Sequence, residues 1–345
     1  MFCVRIALDA TYSTGDQLTG IGVYSSRLIS TLAEAHSNDR FLLCYRPKQF
    51  LRAPELTHKN TKKRLLIPPL PLFRADIFHA LNQRVDSRPA RRIVSTFHDL
   101  FVLTAEYSSA DFRARFAAQA RGAAAHSDLI IAVSEFTSRQ IQDFLGVPQA
   151  RIRVVPHGVD LPRSVDDSER EDIVLFVGAL QVRKNIERLV MAFERLPGNW
   201  RLVLAGAKGG YGAPQILKRI DESPARDRIV VTGHVSRAQL DALFRRARVF
   251  GFPSLDEGFG IPVLEAMSYG VPVITSNCSA LPEVAGDAAL MVDPNKIAEI
   301  ESALIRLTQS IDLQKELAER GRRRAAQFSW ENAARRTYEV YSELK

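Results

Sequence analysis

The chain of 345 residues contains few cysteines and no long apolar run. Its three cysteines, Cys3, Cys44 and Cys278, are odd in number and far apart, which argues against a disulfide framework and for the reducing cytoplasm. No apolar run approaches the ~18 residues that a membrane-spanning helix requires, and the first residues lead into a predicted strand rather than a signal peptide. Internal repeats and low-complexity tracts are absent too. We therefore expect a globular protein of the cytoplasm.

Acidic residues fall short of basic ones only in the first half of the chain. The formal net charge is +8; residues 1–165 contain 22 lysines and arginines against 14 aspartates and glutamates, whereas residues 166–345 contain 25 of each sign. A basic half can meet nucleic acid, anionic lipid or an acidic substrate. Neither a zinc-finger spacing nor an aromatic-glycine ribonucleoprotein motif occurs, so we expect no nucleic-acid partner.

Short β-branched runs alternate with longer helical periods along the whole chain, which predicts parallel sheets flanked by helices. The first half gives predicted strands at 4–8, 41–45, 76–79, 92–97, 129–133 and 152–155. Helices are predicted at 23–34, 110–125 and 135–145, the last capped by Ser134. In the second half, strands are predicted at 172–177, 201–205, 228–231, 249–252 and 271–275. The pattern predicts an α/β protein.

The polar segment 160–172, which contains Pro162 and no apolar period, is the predicted domain boundary. A chain of this length suits two domains of ordinary size. We expect an N-terminal Rossmann-like domain at 1–160 and a C-terminal one at 161–328, doubly wound and facing across a cleft. Ligands of such sheets bind at the carboxyl ends of the strands. A terminal helix at 329–345 is expected to pack back on the first domain, as it does in related folds.

Glu257 and Glu265, with seven residues between them, lie in the most informative window, SLDEGFGIPVLEAM from residue 254 to 267. The window follows an apolar strand, turns at two glycines and enters a helix, because Pro262 pre-sets φ at a first helical position. Free backbone amides and the positive end of the helix dipole favour a phosphate there. Carboxylates accept hydrogen bonds from hydroxyls, so two of them flanking the phosphate suit the sugars on either side of a diphosphate. The amides belong to Gly258, Phe259, Gly260 and Ile261.

A different interpretation is a strand-loop-helix unit with solvated glutamates, which is the commoner case for a bare pair. The Gly-x-Gly sequence before a proline-started helix favours the ligand site. This window resembles the E-x7-E motif of family 4 of the retaining glycosyltransferases. The resemblance implies that Glu257 contacts the transferred sugar and that Glu265 contacts the ribose of a nucleotide-sugar.

Arg183 and Lys184 follow the strand at 172–177 and precede a helix, where two cations can neutralise a diphosphate as it leaves. A solvated basic pair is the alternative. The segment resembles a glycine-to-Arg-Lys-Asn element of the same family. Many members have arginine directly after the glycine, whereas Ala179 stands there in this chain. Arg183 is the candidate to replace that cation, and Lys184 matches the element without qualification.

Two further strand ends carry candidate donor contacts. The turn at 204–212 contains Lys208 among several glycines, and it either lets the backbone approach a nucleotide or is a flexible loop. By resemblance, the backbone around Val235 contacts the nucleobase, and His234 has no assigned role.

His98 ends a predicted strand of the first half. A lone histidine is more often structural, but one followed by aspartate at a strand end in a cleft-forming sheet is a better candidate. The window resembles the H-D-L element of the family, where the histidine reaches toward donor sugar and acceptor. Gly22 lies in a G-x-G sequence that resembles the family's glycine loop near acceptor and phosphates. It lacks the third glycine of a dinucleotide fingerprint.

Together with windows at 133–137 and 154–160, these segments resemble the mannosyltransferase-B-like branch of family 4, which builds bacterial surface polysaccharides. The resemblance implies a GT-B fold and retaining transfer of a hexose from a nucleotide-sugar, GDP-mannose, to a saccharide or a polyprenyl-diphosphate-linked acceptor. No Asp-x-Asp sequence occurs, so we expect no metal and no cofactor besides the donor. We favour a front-face reaction without a covalent intermediate. The alternatives are a nucleotide-sugar epimerase or hydrolase, and a non-catalytic sugar-nucleotide-binding protein.

A lipid-linked acceptor requires a chain without a span to visit the membrane surface. The candidate anchor is a basic cluster, Lys59, Lys62, Lys63 and Arg64, beside the apolar, proline-rich segment 65–73. Basic residues near an anionic leaflet contribute about 1 kcal/mol each. A solvated loop that leads into a buried strand explains the same residues equally well. We therefore expect an enzyme of the cytoplasm that is peripheral on the inner face of the plasma membrane.

Overall fold

The structure is a computed structural model that describes residues 4–15, 18, 20–72, 75–162, 164 and 170–344. The chain forms two compact units. The first unit comprises Met1–Thr104, Ala110–Gly158 and Phe328–Lys345, and the second comprises Ala105–Ser109 and Val159–Gln327. Several residues of the predictions above lie outside the described residues, namely Cys3, Phe73, Lys345 and part of the segment 160–172.

The first unit is a parallel sheet with helices on both faces. Its strands are β1 (Arg5–Asp9), β2 (Arg40–Tyr45), β3 (Thr61–Leu65), β4 (Ile77–Ala80), β5 (Arg92–Phe97), β6 (Leu129–Ala132) and β7 (Ile152–Val154), in the order β3-β2-β1-β4-β5-β6-β7. The helices are α1 (Gly20–Ala35), α2 (Pro47–Phe50), α3 (Phe101–Thr104), α4 (Ala110–His126) and α5 (Glu135–Leu145). Apolar side chains of the strands alternate between two cores, one under α1 and one under α4 and α5.

The second unit repeats this architecture. Its strands are β8 (Glu171–Val177), β9 (Arg201–Ala205), β10 (Ile229–Gly233), β11 (Ala247–Phe252), β12 (Val273–Ser276) and β13 (Ala289–Val292), in the order β10-β9-β8-β11-β12-β13. The helices are α6 (Ile186–Phe193), α7 (Ala213–Asp221), α8 (Arg237–Arg246), α9 (Ile261–Ser268), α10 (Leu281–Ala285), α11 (Ile297–Gln309) and α12 (Ile311–Ala325). All its strand pairs are parallel, as βαβ connections require.

The terminal helix α13 (Trp330–Ser342) belongs to the first unit and packs on α1. Trp330 and Tyr341 are buried in the core beneath α1. Arg153 of β7 forms an ion pair with Glu343 just after the helix, at 2.5 Å. Apolar burial and this charged contact therefore both hold the end of the chain on the first sheet.

Local sequence explains the helix ends that were predicted. Ser134 caps α5, because its hydroxyl accepts a hydrogen bond from the Thr137 amide at 3.0 Å, so the predicted cap is confirmed. Gly146 ends the same helix in the left-handed conformation, with φ +65°. Helix α1 begins at Gly20, three residues before the predicted start, so Gly22 lies within its first turn. In the described part of the chain, no helix combines the length and the apolar character that crossing a membrane requires.

Candidate active site

The carboxyl ends of four adjacent strands carry the predicted donor residues of the second unit. In the sheet the order is β10, β9, β8 and β11, and all four run in the same direction. Val235 follows β10, Lys208 follows β9, Lys184 follows β8 and Glu257 follows β11. The carboxyl end of this sheet therefore presents Val235, Lys208, Lys184 and Glu257, and Glu265 follows on helix α9.

Glu257 is buried and holds both predicted cations. Its Oε1 accepts a hydrogen bond from Lys184 Nζ at 2.5 Å, and its Oε2 lies 3.0 Å from Arg183 Nη1. The Ser254 hydroxyl donates to Oε1 at 2.6 Å. Two cations against one carboxylate leave the cluster with a net charge of +1, which suits an anionic group.

The pKa of Glu257 reflects a competition between burial and neighbouring charge. Burial alone raises the pKa, but Arg183, Lys184 and the hydrogen bond from Ser254 outweigh it and lower the pKa to about 2. The carboxylate is therefore ionised at neutral pH. An ionised carboxylate accepts hydrogen bonds and has no proton to donate.

The loops after β8 and β11 are tied together by backbone and side-chain hydrogen bonds. The Leu255 amide donates to the Arg183 carbonyl at 2.7 Å, and Arg183 Nη1 donates to the Asp256 carbonyl at 2.9 Å. Asn185, with φ +58°, ends a turn of 3-10 helix at Val182–Lys184, and its side-chain amide donates to the Pro253 carbonyl at 3.0 Å. Adjacent strands and these contacts fix the cations against Glu257.

The glycine loop ends in an obligatory glycine. Gly260 precedes α9 with φ +111°, and a Cβ there would lie 2.7 Å from Leu281 Cδ2. Helix α9 begins at Ile261 with Pro262 in its first turn. Because the first amides of a helix have no acceptor within it, the start of α9 at Ile261 carries the positive end of the helix dipole directly after the loop that follows β11.

Glu265 lies on α9, is buried, and is held by a residue that the sequence did not indicate. Its Oε1 accepts a hydrogen bond from Arg237 Nη1 of α8. Burial raises the pKa of Glu265, and Arg237 opposes that rise. Arg237 is itself shared with Asp241 at 2.8 Å. Arg237 therefore already occupies one oxygen of Glu265.

The remaining donor candidates are less enclosed. Lys208 is exposed, and its Cε lies 3.5 Å from where a Cβ of Gly233 would be. Val235 is half-buried and His234 is exposed. The structure thus places Lys208 beside the end of β10. Among the contacts of the described residues, none joins Lys208 or Val235 to Glu257 or Glu265.

In the first unit, His98 follows β5 and lies in a buried histidine cluster. Its Nε2 donates to the Leu81 carbonyl at 2.9 Å, and its Nδ1 lies 3.3 Å from His157 Nε2. The ring of Tyr24 contacts both histidines edge-on, with centroids 4.7 Å apart in each case. Burial lowers the pKa of His98 to about 4, so the ring is neutral at pH 7. Both ring nitrogens are engaged, so a direct contact with a sugar requires one of these bonds to be exchanged.

Gly22 has a packing role in the structure. It is buried in the first turn of α1, where a Cβ would lie 2.7 Å from the Tyr12 carbonyl oxygen. The glycine therefore permits the close approach of the segment before the helix. Its predicted contact with acceptor and phosphates stays a prediction.

Sequence reasoning did not identify three residues that shape the two sites: Ser254, Arg237 and Tyr24. Ser254 lies in the E-x7-E window, so its proximity to Glu257 offered a local signal. Arg237 is 28 residues from Glu265, and Tyr24 is 74 residues from His98 in the sequence, so only the fold brings these pairs together.

Two family models match the chain, Glycosyltransferase Family 4 at residues 20–163 and Glycosyl transferases group 1 at residues 160–324. The O-antigen chain mannosyltransferase B of Escherichia coli is 32% identical, with 95% of this chain and 97% of that protein covered. Sucrose-phosphate synthase from Thermosynechococcus elongatus has a TM-score of 0.78 at 22% identity, with 99% of each chain covered. Anabaena HepE, in complex with UDP and glucose, has a TM-score of 0.76 at 16% identity, with 99% of this chain and 100% of that chain covered.

Proposed function

The chain belongs to glycosyltransferase family 4, and from this premise we propose that it moves mannose from GDP-mannose to a saccharide or a lipid-linked saccharide with retention of anomeric configuration. It is a hexosyltransferase with the GT-B fold, and its relatives include an O-antigen chain mannosyltransferase. The choice of mannose and of an acceptor from bacterial surface polysaccharide rests on that relative. The structure contributes the chemistry of the site.

The observation that carries the proposal is the buried cluster of Arg183, Lys184 and Glu257 before α9. In the proposed reaction the bond between the anomeric carbon and the diphosphate oxygen breaks, and the electron pair leaves with the diphosphate. The acceptor oxygen bonds to the same face of that carbon, and its proton passes to the departing phosphate. The two cations and the amides at the start of α9 stabilise the negative charge that develops.

The two glutamates hold the ends of the donor in this proposal. Glu257 stays ionised and accepts from hydroxyls of the transferred sugar, which orients the anomeric carbon over the cations. Glu265 accepts from the ribose, where Arg237 is already bound. The first unit, with His98, is proposed to hold the acceptor, at a membrane surface if that acceptor is lipid-linked. We place the enzyme in the cytoplasm on the inner face of the membrane.

A panel of radiolabelled nucleotide-sugars, incubated with the purified protein and a lipid-linked acceptor extract, tests the function. We expect label from GDP-mannose to enter the acceptor fraction, and a Glu257→Gln variant to lose most of this transfer. Label that appears only as free sugar, with or without acceptor, would favour a hydrolase. Binding without turnover of any donor would favour a non-catalytic protein.

We predict that transfer survives EDTA. Arg183, Lys184 and the helix dipole of α9 supply the positive charge that a metal ion supplies in other transferases. The measurement is the initial rate after chelation and after readdition of magnesium or manganese. Loss of activity that either metal restores would mean that these groups do not neutralise the leaving diphosphate by themselves.

A further inference from the structure

A cavity lies at the end of the first sheet opposite its candidate site. It has a volume of about 370 Å³ and is formed around the amino ends of β1, β2 and β3. His98 follows the carboxyl end of β5 in the same parallel sheet. Strands of five or six residues are about 17–20 Å long, so the two ends are separate places.

The cavity is strongly basic. Five cationic side chains and one carboxylate line it: Arg5, Arg40, Lys59, Lys62, Arg64 and Asp39. Asp39 is buried, and its oxygens accept hydrogen bonds from the Val4 amide at 2.9 Å and from the Tyr338 hydroxyl. Its charge is therefore held by the fold, and the lining keeps a net charge of +4.

Strand register explains why these cations converge. Arg5 of β1 is paired with Arg40 of β2, and Lys62 and Arg64 of β3 are paired with Leu42 and Cys44 of β2. Paired residues point to the same face, and residues two apart along a strand share a face. Four cations on three neighbouring strands thus lie on one face of the sheet.

The four cations on this face outnumber the single carboxylate of the lining, Asp39. None of them forms an ion pair within the part of the chain that the structure describes. Like charges placed side by side in a sheet repel and destabilise it. A bound anion removes that repulsion.

Lys63 is the one basic residue of β3 that does not line the cavity. It lies between Lys62 and Arg64 in β3 and therefore points to the opposite face, where its Nζ donates to the Ala53 carbonyl at 3.0 Å. The basic cluster that the sequence indicated is thus divided by the strand: Lys62 and Arg64 line the cavity, and Lys63 does not.

We propose that this cavity is a binding site for a phosphate-bearing anion. Guanidinium and ammonium groups from several strands offer charge-assisted donors to the oxygens of a phosphoryl group. A volume of this size is in the range of small-ligand pockets, about 300–1,000 Å³, and exceeds what inorganic phosphate needs. The phosphate comes either from the headgroup of an anionic phospholipid or from a soluble phosphorylated molecule. Anion binding in this cavity does not require glycosyl transfer by the second unit.

Inorganic pyrophosphate is the first probe, and the readout is the backbone amide resonances of Arg40 and Lys62, which report on this cavity and not on the second unit. We expect a saturable shift in the wild type. In a variant that carries Arg40→Gln, Lys62→Gln and Arg64→Gln together, the affinity for pyrophosphate should fall at least tenfold. The single variants Lys62→Gln and Lys63→Gln form the matched pair: the first should weaken binding severalfold, and the second should stay within twofold of wild type.

Vesicles distinguish the two sources of phosphate. Sedimentation with vesicles of phosphatidylglycerol in phosphatidylcholine, compared with phosphatidylcholine alone, tests the lipid headgroup. Binding that Lys62→Gln weakens and Lys63→Gln does not, and that pyrophosphate competes away, identifies the headgroup. A pyrophosphate shift without sedimentation identifies a soluble ligand.

Two results would overturn the site. One is the absence of any pyrophosphate shift, combined with vesicle binding that Lys62→Gln leaves unchanged. The other is equal weakening by a charge-matched variant of exposed residues elsewhere, Arg139→Gln, Arg195→Gln, Arg306→Gln, which would show a general charge effect. Glycosyl transfer by these variants toward a soluble acceptor is measured separately, so failure of the site and failure of the proposed function can be told apart.

Discussion

Glu257 is a buried carboxylate whose charge depends on two cations. Removing one partner of a buried ion pair leaves the other uncompensated, which typically costs about 3–5 kcal/mol. Truncation to alanine would therefore leave Arg183 and Lys184 without the charge of Glu257. The activity of that variant would report on folding as well as on catalysis. Glutamine keeps the size of the side chain and one acceptor oxygen, so it is the better probe of the role of the charge.

Glu257→Gln and Glu265→Gln should affect different kinetic constants. We expect the first to lower kcat, because the contact to the transferred sugar orients the reacting carbon. We expect the second to raise the donor KM, because the ribose contact supports binding in the ground state. Each change should be worth on the order of 1–3 kcal/mol, the usual value for a buried partner left unpaired. Steady-state kinetics with varied donor measure both. Wild-type constants in both variants would remove the glutamates from the donor site.

Lys184→Ala should reduce turnover more than Arg183→Ala. Lys184 is buried, and its ammonium bonds to Glu257 at 2.5 Å, whereas Arg183 shares its guanidinium among Glu257, Gln181 and the Asp256 carbonyl. The comparison is of kcat for the two variants, each first checked for its melting temperature. The opposite order would show that Arg183 has taken over the cation that is missing at Ala179.

At the scale of elements, the sequence predicted most strands, including the edge strands β7 and β10, and missed the other two edge strands, β3 and β13. Strand β3 reads Thr-Lys-Lys-Arg-Leu and β13 reads Ala-Leu-Met-Val, and each lies at one edge of its sheet. Charged residues on an edge strand are common protection against pairing, and the three consecutive cations of β3 leave it with little apolar periodicity. The basic segment at 59–64 was therefore interpreted as a loop or a membrane anchor, although most of it is a strand.

The site was predictable where a loop follows a strand directly, and not where distant elements meet. Glu257, Glu265 and Lys184 were indicated by local spacing. Their neighbours were not, because the Arg237–Glu265 pair joins α8 to α9 and the His98–His157 pair joins the ends of β5 and β7. Such pairs are set by helix and strand packing, which a single sequence does not encode in a local pattern.

The glycine-rich turn after β9 packs closely against the turn after β8. Gly206 has φ +149°, and a Cβ there would lie 2.1 Å from the Gly178 carbonyl oxygen, so the turns after β8 and β9 touch through backbone. Gly209 in the same turn has open space around it. We expect Gly206→Ala to lower stability by roughly 1–3 kcal/mol, the usual cost of strained backbone, and to lower activity. Gly209→Ala should match the wild type in thermal unfolding. Equal melting temperatures for both variants would show that the turn is loosely held.

At the scale of the whole molecule, the first unit keeps three histidines neutral in its interior. Burial lowers the pKa of His79 to about 3 and that of His98 to about 4, and it lowers the pKa of His157 as well. His79 lies between the Tyr341 hydroxyl of α13 at 2.6 Å and the Thr96 hydroxyl of β5 at 2.8 Å. The terminal helix is therefore joined to the sheet through a group that must not carry a charge.

Stability should consequently fall as the solution is acidified. Between the ordinary histidine pKa of about 6.5 and the lowered values, the unfolded chain binds protons that the folded chain does not, so the free energy of unfolding rises with pH there. Each such histidine contributes about 1.4 kcal/mol per pH unit within that window. Burial raises the pKa of Asp9 and of Glu265, which gives a slope of the opposite sign where these carboxyls titrate, so the total slope alone does not identify the histidines.

A His79→Asn variant isolates the contribution of one histidine. Asparagine keeps polar atoms near Tyr341 and Thr96 but takes up no proton. Denaturant unfolding from pH 4.5 to 6 should give a pH slope lower than that of the wild type by about one proton, or about 1.4 kcal/mol per pH unit, whatever the overall loss of stability. The difference should vanish above pH 7.5, where the histidine is neutral in both states. Parallel slopes in the two proteins through the acidic range would mean that His79 is protonated in the folded protein, and that the contact between α13 and the sheet tolerates the charge.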